Sequence, residues 1–148
     1  MKDGDGGTRI ERRFTLRDAR RDVEPLQTVV LEAAEAAGYD QTCCFAVRLA
    51  LEEALSNAFH HGNRDDPAKA VTVQCRIDAQ SIEFVIEDEG EGFDPGAVPD
   101  PTAEENLEIP AGRGLILMRA YMSEVTFDPP GNRVRMTFRR TEATRQSA

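Results

Sequence analysis

Two periods of apolar spacing alternate along this chain, and the points where one gives way to the other divide it into elements. Over residues 9–16 the run alternates, with Ile10, Phe14 and Leu16 on one side, which predicts a short strand. Over 19–37 the positions Val23, Leu26, Val29, Val30, Ala33 and Ala37 recur at helical spacing. Pro25 fits that helix only in its first turn, where its missing N–H costs no hydrogen bond. Gly38 suits the left-handed residue that ends a helix, and Asp40 suits the N-cap of the next. The second helix carries Val47, Leu51, Ala54, Leu55 and Ala58 as its core stripe and closes at Gly62-Asn63.

Two alternating strands follow, at 70–78 and 81–88, and read as a hairpin although Ala79-Gln80 is a weak turn. Gly112-Arg113-Gly114 then opens a third helix carrying Leu115, Leu117, Met118, Tyr121 and Met122. Strands at 124–128 and 133–140 flank the turn Pro129-Pro130-Gly131-Asn132. The expected fold class is α+β: two layers, an antiparallel or mixed sheet with helices on one face. Residues 1–8, rich in Gly and Asp, are expected to be disordered, and 141–148 to form a polar tail, leaving one domain over 9–140. Residues 93–111 have no periodicity and four prolines, the pattern of a binding loop or lid.

Composition narrows the picture. The chain of 148 residues is 40% hydrophobic and 30% charged, as in a soluble globular domain. It has no apolar run long enough for a membrane span and no secretory signal, so a cytoplasmic location is expected. Three cysteines lack zinc or disulfide spacing and read as small buried apolar residues. The net charge of −9 argues against a general nucleic-acid binder, which needs a basic face, but leaves room for a nucleotide held locally with a cation.

Candidate chemistry sits at the ends of elements. On the second helix Glu53, Asn57 and His61 fall at i, i+4 and i+8, a row of carboxylate, carboxamide and imidazole beside the core stripe. A solvated helix face with a polar end explains that row equally well when it is taken alone. Asp88-x-Gly90-x-Gly92 leaves a strand; Asp88 can accept a hydrogen bond from an exocyclic amine, and the glycines allow close backbone approach. Gly112-Arg113-Gly114 stands where free N–H groups and the helix dipole favour a phosphate. Either glycine motif, taken singly, is also an ordinary turn or junction.

In this order, with a lid-like segment between the glycine motifs, the three resemble the N, G1 and G2 boxes of the GHKL ATPase superfamily, which shares the Bergerat ATP-binding fold. The runs Leu-Ala-Leu-Glu-Glu-Ala-Leu-Ser-Asn-Ala-Phe-His-His-Gly-Asn, Glu-Asp-Glu-Gly-Glu-Gly-Phe-Asp-Pro and Gly-Arg-Gly-Leu-Ile-Leu-Met-Arg-Ala-Tyr-Met-Ser-Glu-Val look most like the small anti-sigma-factor serine kinases of the RsbW type.

That resemblance implies ATP and Mg²⁺ as cofactors. It implies Asn57 as the Mg²⁺ ligand and Glu53 as the general base for an attacking hydroxyl. Glu52 is the competing carboxylate, but on the helix it points well away from Asn57. Asp88 would take the adenine amine, with Gly90 and Gly92 shaping the base pocket. Gly112, Arg113 and Gly114 would meet the phosphates, and His61 would either reach a phosphate or cap the helix. The implied partners are a sigma factor, a STAS-type anti-anti-sigma protein phosphorylated on Ser or Thr, and a second copy of the chain.

One departure separates ATP binding from kinase activity. Kinases of this group carry an arginine just before the second glycine motif, whereas Ile109-Pro110-Ala111 stands here. Arg113 is the available substitute. A nucleotide-holding switch that captures its partner without phosphorylating it is therefore the competing expectation. A histidine-kinase catalytic fragment is a weaker one, since no phosphoacceptor helix hairpin precedes the first long helix.

Overall fold

The computed structural model describes residues 9–92 and 110–140, with only the backbone given for Pro110, Ala111, Gly112 and Arg113. Residues 1–8, expected to be disordered, the expected polar tail 141–148 and residues 93–109 of the expected lid lie outside the described residues. Strand β1 (Ile10–Leu16) leads into helix α1 (Ala19–Ala36) and helix α2 (Gln41–Ser56), which continues as a π-helical turn over Asn57–Gly62. Strands β2 (Val71–Ile77) and β3 (Ser81–Glu87), helix α3 (Pro110–Tyr121), and strands β4 (Glu124–Asp128) and β5 (Arg133–Arg139) complete the order.

The five strands form one sheet in the order β1-β2-β3-β5-β4, antiparallel throughout. Its register puts Phe14, Val73, Ile86, Val134 and Phe127 in one row, and Cys75, Phe84, Met136 and Val125 in the next. Strand side chains alternate between faces, so these rows share the face that packs against the helices. Val30, Val47, Leu51, Leu55 and Met118 close the core from the helix layer. All three cysteines are buried within that core as free thiols, and burial raises each of their pKa values.

The junction between α1 and α2 follows its sequence signals. Gly38 is left-handed at φ +97°, its N–H reaches Glu35 O, and the Tyr39 N–H reaches Ala34 O, the paired bonds of a Schellman end. Asp40 caps α2 by accepting the Cys43 N–H at 2.9 Å. The β2–β3 turn is made by Asp78, whose Oδ1 accepts the N–H groups of Gln80 and Ser81 at 2.8 and 2.9 Å. This Asx-type turn supplies what Ala79-Gln80 lacked.

Three expectations are corrected. Pro25 stands inside α1, in its second turn; it lies on the exposed face, where water can serve the carbonyl its missing N–H leaves free. The buried stripe of α1 is Leu26, Gln27, Val30 and Ala34; Ala33 only packs against the edge of the core, and Val29 is partly buried outside it. Finally, α3 starts at Pro110, a residue suited to a first helical position, so Gly112-Arg113-Gly114 lies within the helix and not ahead of it.

Candidate functional site

Glu53 and Asn57 are one turn apart on α2, and both are half-buried, whereas Glu52 is exposed. The buried Gly114 of α3 faces them. A Cβ added there would stand 2.9 Å from Asn57 Nδ2, 3.2 Å from Asn57 Oδ1 and 3.2 Å from Glu53 Oε2. Only a glycine lets the start of α3 approach these two side chains so closely. Neither side chain makes a hydrogen bond to a described residue. Pro110 has no N–H, and the N–H groups of Ala111 and Gly112 that follow it in the first turn of α3 have no intrahelical acceptor, so a carboxylate, a carboxamide and the positive end of a helix dipole converge.

The helix changes pitch at Asn57. The Asn63 N–H bonds to Ala58 O at 2.8 Å and the Asp65 N–H to Phe59 O at 2.9 Å, spans longer than the α-helical four residues. His61 is exposed, and its ring makes no hydrogen bond to a described residue. His60 is the engaged histidine, with Nδ1 2.5 Å from Asp65 Oδ1. The turn ends through two left-handed residues, Arg64 at φ +53° and Asp65 at φ +58°.

The second centre lies where β3 ends. Asp88 stands over the helix terminus so closely that a Cβ on Gly62 would fall 2.6 Å from Asp88 Oδ1. Gly90 is packed against the same terminus, where its Cβ would lie 2.7 Å from Gly62 C. The Gly90 N–H donates to Asp88 Oδ1 at 2.7 Å, while Oδ2 has no hydrogen bond to a described residue. Burial raises the Asp88 pKa, opposed by the Gly90 N–H; Glu87 raises it further and Lys69 lowers it. Gly92 is left-handed at φ +87°, and its Cβ would meet Pro130 C at 2.7 Å. Its close approach is to the β4–β5 turn.

Two asparagines central to this arrangement were not among the sequence candidates. Asn63 is 1% exposed. Its Oδ1 accepts the Glu89 N–H at 2.7 Å and its Nδ2 donates to Ala70 O at 3.0 Å, while the Glu89 carboxylate accepts the Ala70 N–H. Asn132 donates from Nδ2 to Asp88 O at 2.9 Å, and its own carbonyl accepts the Asp88 N–H at 2.9 Å. The only signal was a polar residue at a helix end and another in a turn, positions where asparagine is common for local reasons.

Of the predicted residues, the structure brings Glu53, Asn57 and Gly114 together at one end. Asp88 and Gly90 meet at the other, with Gly92 beyond them. For Gly112 and Arg113 it gives only a place in the first turn of α3. Among the described residues no group of three or more His, Cys, Asp or Glu side chains could hold a metal ion alone. A shallow depression of about 410 Å³ lies on the opposite sheet face, lined by Glu11, Arg13, Arg76 and Glu83 among others, away from both centres. No helix among the described residues is long and apolar enough to cross a membrane.

The chain is 32% identical over 82 residues to an anti-sigma F factor of Clostridium novyi, covering 53% of this chain and 57% of that protein. It is 31% identical over 85 residues to the serine-protein kinase RsbW of Oceanobacillus iheyensis, covering 53% and 54%. An anti-sigma F factor of Geobacillus thermodenitrificans is 29% identical over 90 residues, with 59% and 61% covered. The chain thus spans little more than half the length of these relatives. The family model for the histidine kinase-like ATPase domain matches residues 16–138, a stretch that contains Glu53, Asn57, Asp88 and Gly114. The match runs from the end of β1 to the penultimate residue of β5 and takes in helices α1, α2 and α3, and the chain belongs to the histidine kinase-like ATPase domain family.

Proposed function

We propose that this protein binds Mg·ATP between α2 and α3 and transfers its γ-phosphoryl group to a serine or threonine of a partner protein. The observation that carries the reading is the convergence of Glu53, Asn57 and Gly114 at the start of α3. Asp88 Oδ2 would accept the adenine amine. The N–H groups at the start of α3 would face the phosphates, with Arg113 close by in sequence.

The side chains fit Mg²⁺ in one limited sense. Asn57 offers a single hard carbonyl oxygen, and with no carboxylate cluster the remaining ligands would be phosphate oxygens and water. When bound, the ion supplies charge neutralisation on the phosphates. Glu53, whose Oε2 would lie 3.2 Å from a Cβ added to the same glycine, would receive the hydroxyl proton as the oxygen attacks phosphorus and the bond to ADP breaks.

The relatives' names, anti-sigma F factor and serine-protein kinase, support capture of a sigma factor and phosphorylation of serine. The same reading takes a STAS-type anti-anti-sigma protein as the substrate and a cytoplasmic homodimer as the working form. Phosphorylation would then shift partner choice by adding charge at a docking surface. The test is transfer of label from γ-labelled ATP, with Mg²⁺, to a STAS partner. Acid-stable label on the partner with wild type and none with Glu53→Gln is the expected result. ATP binding without transfer would favour the second reading, a nucleotide-dependent capture switch, for which Ile109-Pro110-Ala111 in place of an arginine is the specific observation.

A further inference from the structure

We propose that Asn63 and Asn132 are positioning residues that set the nucleotide-base preference by clamping one peptide, the Asp88–Glu89 unit, before ligand arrives. The inference rests on the reading of Asp88 as the base acceptor. The N–H of that peptide donates to Asn63 Oδ1 at 2.7 Å, and its C=O accepts from Asn132 Nδ2 at 2.9 Å. The peptide plane is therefore held from both sides. The Asp88 N–H is fixed as well, on Asn132 O, and one carboxylate oxygen is fixed by the Gly90 N–H at 2.7 Å. What remains for a ligand is Oδ2, pressed over Gly62.

Asn63 spends both ends of its carboxamide on backbone and is 1% exposed, so it cannot itself touch a nucleotide. It joins three segments that are distant in sequence: the π-helical end of α2, Ala70 at the start of β2, and the chain leaving β3. Buried amides with every group satisfied specify a single arrangement, because any alternative leaves a desolvated N–H or C=O unpaired. A carboxylate held in this way discriminates by charge: it accepts from the amine of adenine and repels the carbonyl of hypoxanthine or guanine. Sites built on one fixed polar contact reject the analogue that cannot make it.

The experiment measures dissociation constants for Mg·ATP and Mg·ITP on the full chain, taking their ratio as the readout. Asn132→Ala keeps the backbone carbonyl that holds the Asp88 N–H and removes only the clamp on the Asp88 C=O. It should reduce the preference for ATP about fivefold, the worth of one ordinary hydrogen bond, with Mg·ITP affinity little changed. Asn63→Ala should do the same or more. A purely structural role would weaken both nucleotides alike and leave the ratio at its wild-type value. That result overturns the proposal.

Asp88→Asn separates the two levels of the reading. If it retains the wild-type ratio, Asp88 is not the base acceptor. If it loses or inverts the preference while Asn132→Ala retains it, the base reading stands and the clamp is wrong. Should Asn63→Ala fail to fold, hydrogen exchange on nucleotide-free wild type supplies the remaining check. The Glu89 amide should be protected as strongly as the ladder amides of β3, and fast exchange there overturns the clamp.

Discussion

Around Asp88, the backbone N–H and C=O of that residue and the N–H groups of Glu89 and Gly90 all have protein partners, whereas at Glu53 and Asn57 the side chains have none among the described residues. The Asp88 centre is assembled from loop ends and a strand terminus, which need cross-links to hold a geometry. The Glu53–Asn57 centre rides on two helices whose packing already fixes the backbone, and its side chains stay open to ligand. Rigidity is thus supplied by hydrogen bonds at the Asp88 end and by helix packing at the Glu53–Asn57 end. Each end should fail in its own way.

The largest effect expected is on chemistry at the open end. Glu53→Gln keeps size and half-burial but removes the base, and phosphoryl transfer should fall at least about 100-fold. The thermal midpoint and Mg·ATP affinity should change little. A loss of folding alongside activity would show that Glu53 is a structural residue.

Paired glycine substitutions sharpen the contrast. Gly62→Ala drives a methyl into the pinned Asp88 carboxylate and should destabilise the nucleotide-free protein by about 2 kcal/mol, the scale of core overpacking. Gly114→Ala meets the free ends of Asn57 and Glu53, which can swing aside. Its stability should stay within about 1 kcal/mol of wild type, offset in part by the helix preference for alanine, while Mg·ATP affinity falls. Denaturant midpoints and titrations on the two variants measure both quantities. Equal destabilisation by the two would erase the distinction between the ends.

The smallest effect is the pH dependence of the pinned carboxylate. Burial raises the Asp88 pKa above its unfolded value, so its contribution to stability is full below the ordinary carboxylate range and is lost as pH rises through the raised value. Asp88→Asn does not ionise. Without nucleotide, the melting-temperature difference, variant minus wild type, should therefore grow from acid to neutral pH. A difference that shrinks over that range would show Asp88 to be stabilised in its charged form.

Element boundaries were legible wherever a local rule decided them. Asp40 as a cap, Gly38 as a left-handed end and the strand alternation from Val71 to Ile86 all act within a few residues of chain. The errors came where context supplied what the local rule withheld. Pro25 was expected in a first turn, yet solvent on the exposed face of α1 accommodates it in the second. A weak Ala79-Gln80 turn was repaired by the preceding Asp78. The π-helical end of α2 left no mark in the apolar spacing.

By itself, the sequence determined the α+β class, the order of the elements, the alignment of Glu53 rather than Glu52 with Asn57, and the three polar motifs that the ends of those elements carry. Periodicity and short-range turn chemistry contain that information. Only the tertiary structure decided that Gly114 of α3 closes on Glu53 and Asn57, that Gly62 of one helix end lies beneath Asp88 of a distant strand, and that Asn63 and Asn132 hold the peptide after Asp88 from both sides. Those contacts join residues 26 to 61 positions apart. Their partners are fixed by how the helix layer settles on the sheet, and no local preference of an asparagine or a glycine encodes them.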